Sequence, residues 1–283
     1  MDDFTLINIR NPENLYSISA PAITYRERSN MKVLITAGGT TEPIDRVRSI
    51  SNTSTGKLGS LIAEAFDQET VVKQIYYICG KNSFLPKSTK SNVSYIDTVA
   101  SLEETVKRIL TTESIDVIIH CMAVSDYRVS AVTSLSTFAE NLKFQANELP
   151  KDDQKLSEAL QLALVQASEA SPYHNGKIPS NIDHLLLCME RTPKIISLFQ
   201  KLAPEALLVG FKLLDHVSKD ELLAAAFQVL QDNQCCYVLA NDLRDITTEQ
   251  HIGYLLDQKK NYTQYTTKAE IANAIVSATI KKE

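Results

Sequence analysis

The chain has 283 residues, 44% of them hydrophobic and 22% charged, with a formal net charge of -5 at pH 7. That length can hold one large α/β domain with a full core, and the acidic balance argues against a non-specific nucleic-acid binder. No apolar run reaches the length of a membrane span and no signal-peptide pattern opens the chain, so a soluble, cytoplasmic protein is expected.

Residues 1–30 are polar, lack a sustained period and carry no functional weight; they read as an N-terminal extension. Val33–Ile35 forms a short apolar strand that ends at Gly38-Gly39. A helix opens at Gly56, with Leu58, Leu61, Ile62, Ala65 and Phe66 at helical spacing. The polar loop between them is too long for a plain strand-to-helix turn. It stands at the carboxyl end of a first strand, where open α/β sheets bind ligands, so it is the first candidate for function.

Lys73–Cys79 and Val93–Ile96 read as further strands, and Thr98–Thr112 as a helix. Ile115–His120 is a continuous apolar run of the kind buried on both faces of a parallel sheet. A second polar turn, CMAVSDYRVS, follows it. Residues 129–176 interrupt the alternation; they contain one good helix, Gln154–Ala170, and read as an inserted lid or dimerisation segment. The pattern resumes with a strand at His184–Cys188 and a helix at Pro193–Leu202, started by Thr192 and Pro193. A strand at Ala206–Lys212, a helix at Lys219–Asp232 and a strand at Cys236–Ala240 come next. Ile252–Asp257 reads as an edge strand and Lys268–Ile280 as a closing helix. Repeated β-α units imply a mostly parallel sheet covered by helices on both faces.

Several familiar chemistries are excluded. Gly38-Gly39 lacks the G-x-G-x-x-G spacing of a dinucleotide fingerprint, and Gly56-Lys57 lacks the other residues of a Walker A loop. The five histidines show no metal-ligand spacing, so no zinc site is expected. No G-x-S-x-G element supports a triad hydrolase. The five cysteines contain no C-x-x-C pair, and three of them end apolar runs, so buried reduced thiols are expected. What remains is a loop of glycines and small hydroxyl residues (Thr40, Thr41, Ser51, Thr53, Ser54, Thr55) running into a helix N-terminus. Such a loop is either a capped, turn-rich connection or a cradle for phosphate oxygens; spacing alone does not choose. Arg48 reads as a surface charge or as the residue that orders the loop. Asn52 reads as a turn residue or as a donor to a reacting carbonyl. Asp126 is a turn cap or a hydroxyl-binding carboxylate, and Lys177 a solvated lysine or a cation for a polyphosphate.

The run ITAGGTTEPIDRVRSISNTSTGKLG at 35–59 closely resembles the signature of phosphopantothenoylcysteine synthetases. Shorter matches follow in order: AVSDY at 123–127, GKI at 176–178, TPKII at 192–196, GFK at 210–212 and AND at 240–242. The resemblance covers Met31 to the C-terminus except for the insertion. It implies a Rossmann-like α/β fold over 31–283 and a ligase that joins 4'-phosphopantothenate to cysteine through an acyl-nucleotidylate. It further implies Mg²⁺, a homodimer with the site at the subunit interface, and CTP as the nucleotide with ATP as the alternative. Carried over by position, Asn52 binds the acyl intermediate, Arg48 matches a loop arginine and Lys177 serves the reaction as a cation. Gly38, Gly39, Ser54, Gly56 and Gly59 form the nucleotide-facing loop. Asp126, Lys177, Thr192, Pro193, Lys194, Ile195 and Phe211 match nucleotide-contacting positions, and Asn241 matches the pocket's rim. Ala123 and Val124 correspond to residues near the phosphopantothenate. No decarboxylase domain precedes the motif, so a monofunctional enzyme is expected. GFKLLD at 210–215 resembles the eukaryotic-type pattern, which leaves the nucleotide open. A non-catalytic nucleotide sensor is the competing reading; Asn52, with no obvious task in a sensor, separates the two.

Overall fold

A computed structural model describes residues 29–145, 152–169, 176–247 and 250–280. Most of the expected N-terminal extension (1–28) and two stretches of the expected insertion (146–151 and 170–175) lie outside the described residues.

The centre is an eight-stranded sheet. Its first strand, β1 (Met31–Ala37), pairs in parallel with β4 (Val72–Gly80) on one side and with β6 (Val117–His120) on the other. Outward from β4 lies β5 (Ser91–Ile96); outward from β6 lie β9 (Leu207–Leu214) and β10 (Tyr237–Asp242), all parallel. Two antiparallel strands, β11 (Gly253–Asp257) and β12 (Tyr262–Tyr265), complete that edge. The chain builds outward from β1 in one direction and then returns to build in the other. The crevice between β1 and β6 is therefore the topological switch point, where such sheets bind ligands.

Helices α1 (Lys57–Asp67) and α7 (Lys268–Ile280) cover one face; α2 (Val99–Thr112), α5 (Ile196–Leu202) and α6 (Lys219–Asp232) cover the other. Most of the helices start where a side chain can satisfy their orphan N–H groups. Thr98 and Ser101 form a capping box at α2, and Ser218 and Glu221 form one at α6. Helix α1 differs: Gly56 precedes it at φ 71° with no side-chain cap. At Gly59 a Cβ would stand 2.5 Å from the Ala37 Cβ and 2.9 Å from the Cys121 Sγ. Glycine there lets α1 lie directly on β1.

Four expectations need correction. His184–Cys188 does not rejoin the central sheet. The observed strand β8 (Leu185–Arg191) instead pairs antiparallel with β7 (Tyr127–Ser134), a strand the sequence did not suggest. The two form a ribbon that carries α3 (Leu135–Gln145) and α4 (Asp153–Glu169). The apolar LLLC run reads as core, but the strand is largely exposed and packs on one face only. The helix expected from Pro193 begins at Ile196, because the Thr192 hydroxyl is spent on the Ser125 carbonyl, 2.5 Å away. Strands β9 and β10 run on to Leu214 and Asp242 because they pair with each other that far. Finally, β11 is not the edge strand. The polar, exposed β12 pairs outside it, and its YTQY sequence has no apolar alternation to announce it.

Candidate active site

The loop after β1 folds as a small hairpin of β2 (Thr41–Pro43) and β3 (Ser49–Ser51). Gly38, at φ 80°, begins it; a Cβ there would meet the Ser83 Oγ at 1.9 Å. Beyond the ends of β1 and β6 the backbones stay joined. Gly39 bridges Ala123, the Ala123 N–H donates to the Gly38 carbonyl (2.8 Å), and the Thr40 N–H donates to the Ala123 carbonyl (3.1 Å). The second polar turn is thereby stitched to the first.

Asn52 lies where the hairpin returns to this seam. Its N–H donates to the Thr40 carbonyl at 3.2 Å, and its Oδ1 accepts from the Ser125 hydroxyl at 3.3 Å. Among the described residues its side-chain N–H groups meet no acceptor. Asn52, Gly39 and Ser54 line a cleft of about 660 Å³. The hairpin bounds it on one side; the turn from Gly80 to Ser83 and the start of α2 bound it on the other. Tyr77, fully buried, anchors that turn's continuation by donating to the Phe84 carbonyl at 2.9 Å, and the Phe84 N–H donates to Thr55. The start of α1 follows directly on the same loop and makes a favourable place for an anion, although none of its residues lines the cleft.

Arg48 and Lys177 come together through Asp45, which the sequence reading passed over. The Asp45 carboxylate has no exposed surface. One oxygen accepts the N–H groups of Val47 (2.8 Å) and Arg48 (2.7 Å); the other accepts the Arg48 Nε (3.0 Å) and the Ile178 N–H (3.0 Å). Arg48 in turn donates to the Ile178 carbonyl at 2.5 Å. Burial opposes ionisation of Asp45, but the N–H groups of Val47, Ile178 and Arg48 and the guanidinium outweigh it and hold the carboxyl at about 2. Arg48 thus acts on the chain and not on the cleft: it and Asp45 fasten Gly176–Ile178 to the hairpin, leaving Lys177 exposed beside it. An aspartate bonding the N–H groups two and three residues on is a turn signature that sequence can show.

The other expected residues divide into two groups. Asp126 pairs with Lys194 at 2.6 Å, both well exposed, while Thr192 binds the carbonyls of Ser125 and Asp126. Pro193 is exposed and Ile195 is buried in the core on the α2, α5 and α6 face. This group adjoins the seam through residues 123–126, with Ala123 and Val124 half-buried in it. Among the described residues no hydrogen bond joins Phe211 or Asn241 to this group. Phe211 lies within β9, packed against the core on the α1 and α7 face, opposite to Ile195. Asn241 is buried within β10, 3.5 Å from His251. Gly59 faces the sheet. The expected site residues therefore straddle the β1/β6 crevice, with Asn52 at the divide and the open cleft on the β1 side.

Among the described residues no three His, Cys, Asp or Glu side chains cluster to hold a metal. Mg²⁺ usually reaches such sites on a nucleotide's phosphates. Two buried histidines have a different consequence. His120 Nδ1 lies 2.8 Å from the Thr36 hydroxyl, and its ring meets Phe199 edge-on. Burial lowers its pKa to about 4; burial and then Lys268 lower that of His251 to about 4 as well. Below 6.5 the unfolded chain binds protons that these folded imidazoles refuse. Their contribution to stability is thus full above 6.5 and lost as pH falls toward 4. The carboxyl of Asp45 joins only at lower pH. Urea unfolding at pH 7, 5.5 and 4 should show that decline, and His120→Gln should flatten part of it; a variant with the parent slope would remove His120 from the account.

Comparison with known proteins places this geometry. The family model for the DNA/pantothenate metabolism flavoprotein C-terminal domain matches residues 28–148 and 146–282. The coenzyme A biosynthesis bifunctional protein CoaBC of Thermococcus kodakarensis is 30% identical over 220 residues, 78% of this chain and 43% of that protein. The chain thus spans less than half the length of that relative. The crystal structure of the DNA/pantothenate metabolism flavoprotein from Streptococcus pneumoniae is 33% identical, with a TM-score of 0.71, over 87% of this chain and 97% of that one. A Cab2 mutant solved with phosphopantothenate-cysteine shares the fold at 18% identity and a TM-score of 0.61, over 89% of this chain and 85% of that one.

Proposed function

The chain belongs to the family of the DNA/pantothenate metabolism flavoprotein C-terminal domain, and from that premise we propose that it is a phosphopantothenate–cysteine ligase. The observation that carries this reading is Asn52: a side-chain amide held by its oxygen, with its N–H groups unspent in a cleft at the switch point.

A carboxylate is a poor acyl donor at neutral pH and must first gain a leaving group. In the first step a carboxylate oxygen of 4'-phosphopantothenate attacks the α-phosphorus of CTP, with ATP as the alternative. The α–β phosphoanhydride bond breaks, and pyrophosphate leaves. In the second step the amine of cysteine attacks the acyl carbon. The amide bond forms, the acyl–phosphate bond breaks, cytidine monophosphate leaves, and the amine gives up a proton. Charge grows on phosphate oxygens first and on the carbonyl oxygen second. The N–H groups at the start of α1 and the Lys177 ammonium suit the phosphates. The Asn52 amide suits the carbonyl oxygen, where one well-placed donor is worth the most. Arg48 and Asp45 hold Lys177 and the hairpin in one piece. Asp126 and Thr192–Ile195 are assigned to the nucleotide from across the crevice. Mg²⁺ would come with the nucleotide and supply positive charge to its phosphates.

We assign a homodimer to the ribbon. Leu187 and Met189 on β8 are 38% and 43% exposed, apolar surface that a second copy would cover; a monomer by light scattering would remove that assignment. Among the described residues no helix is long and apolar enough to cross a membrane. Free thiols at Cys79, Cys121, Cys235 and Cys236 agree with a reducing, cytoplasmic compartment.

The test is pyrophosphate release from CTP and from ATP, with phosphopantothenate present, with and without cysteine. Release that requires phosphopantothenate, followed by amide formation when cysteine is added, is the expected result. No release with either nucleotide would overturn the ligase and leave a nucleotide sensor.

A further inference from the structure

Behind Asn52 stand two hydroxyl groups that the reaction does not touch. Thr40 is fully buried and Ser125 is 5% exposed. The Thr40 Oγ1 accepts the Ser125 N–H at 2.9 Å, and the same Oγ1 lies 3.1 Å from the Ser125 Oγ. Accepting twice would leave the buried Thr40 proton unpaired, and among the described residues the Ser125 Oγ is the acceptor recorded for it, so Thr40 points its own proton there. Ser125 Oγ then accepts from Thr40, and its single proton goes to the Asn52 Oδ1 at 3.3 Å. The direction of the chain is fixed at every link: the Ser125 N–H to Thr40, Thr40 to the Ser125 hydroxyl, that hydroxyl to Asn52.

An asparagine amide can turn by half a rotation about its last bond, exchanging its oxygen and its nitrogen at nearly equal shape. Only hydrogen bonding decides which end faces the cleft. A hydroxyl that donates to the amide from behind selects the orientation with the oxygen inward and the N–H groups outward. Ser125 is itself immobilised at both ends of its peptide, by Thr40 at its N–H and by the Thr192 hydroxyl at its carbonyl.

We infer that Ser125, oriented by Thr40, is a positioning residue that holds the Asn52 amide with its donors toward the reacting carbonyl. This rests on the reading of Asn52 as the donor to the acyl oxygen. Without Ser125 the turned amide would set its own oxygen against the growing negative charge, so the second step should suffer and the first should not.

The experiment is a double-mutant cycle on the full chain, with pyrophosphate release and cysteine-dependent amide formation followed separately. Ser125→Ala should slow amide formation about tenfold, the worth of one ordinary hydrogen bond, and leave pyrophosphate release unchanged. Asn52→Ala should slow the same step more, and the double variant should be no slower than Asn52→Ala alone. Thr40→Val, which keeps the shape and removes the hydroxyl, repeats the cycle if Ser125→Ala melts early. Parent rates in both hydroxyl variants, or losses that multiply with that of Asn52→Ala, would overturn the inference while leaving the role of Asn52 standing. A parent rate of amide formation in Asn52→Ala would remove the role of Asn52 first, and this inference with it.

Discussion

Asn52→Asp should release pyrophosphate at close to the parent rate yet form the amide about 10²- to 10³-fold more slowly, the cost of one oxyanion donor. The substitution preserves size and keeps an oxygen facing Ser125, so the bond at 3.3 Å survives. What changes is the other end of the side chain, where an anionic acceptor replaces the two N–H groups. The first step develops charge on phosphate, away from this group, and should proceed. In the second the acyl oxygen becomes negative beside a carboxylate, and repulsion replaces donation. The acyl-nucleotidylate should therefore accumulate, visible as a stoichiometric burst of pyrophosphate when cysteine is added last. Normal turnover of cysteine by this variant would show that Asn52 has been given the wrong role.

Asp45→Ala should lower kcat/KM for the nucleotide by about 10- to 100-fold, the range of a lost hydrogen bond to a charged group. Four donors converge on this carboxylate; one of them, the Ile178 N–H of the 176–178 strap, comes from far along the chain, and Arg48 reaches the same strap through the Ile178 carbonyl. Removing it strands the guanidinium of Arg48 and releases the backbone beside Lys177. The ammonium would then reach the phosphates from a wider range of positions, and the loss should appear mainly as a raised KM. Saturation curves for pyrophosphate release against CTP measure it. An unchanged KM would separate the strap from nucleotide binding.

The fold was largely legible because parallel β-α units announce themselves locally. β6 is apolar at Val117, Ile118 and Ile119 and buried throughout. Helices α2 and α6 carry both their caps and their apolar faces in the sequence. Local pattern failed where a strand had no buried alternation, as in β12, or where an apolar run packed on one face only, as in β8. The same division holds within the site. The glycines and Asn52 stand together in one short run, so their association is visible before folding. Asn241 looked like the residue after a strand because a strand's end depends on its partner, and β9 and β10 extend each other.

By itself the sequence determined the order of the parallel units, the long loop after β1, and Asn52 as the residue that separates a ligase from a sensor. Only the tertiary structure decided what that loop is attached to. Ser125 meets Asn52 from 73 residues away, and Ile178 meets Asp45 from 133. Such bonds leave no periodic trace, because each is a single donor and acceptor brought together by the closing of the sheet. A backbone seam, Gly39 with Ala123, and a carboxylate tie, Asp45 to the Ile178 N–H, turn a polar loop into a rigid arm. On that arm the amide of Asn52 faces one way.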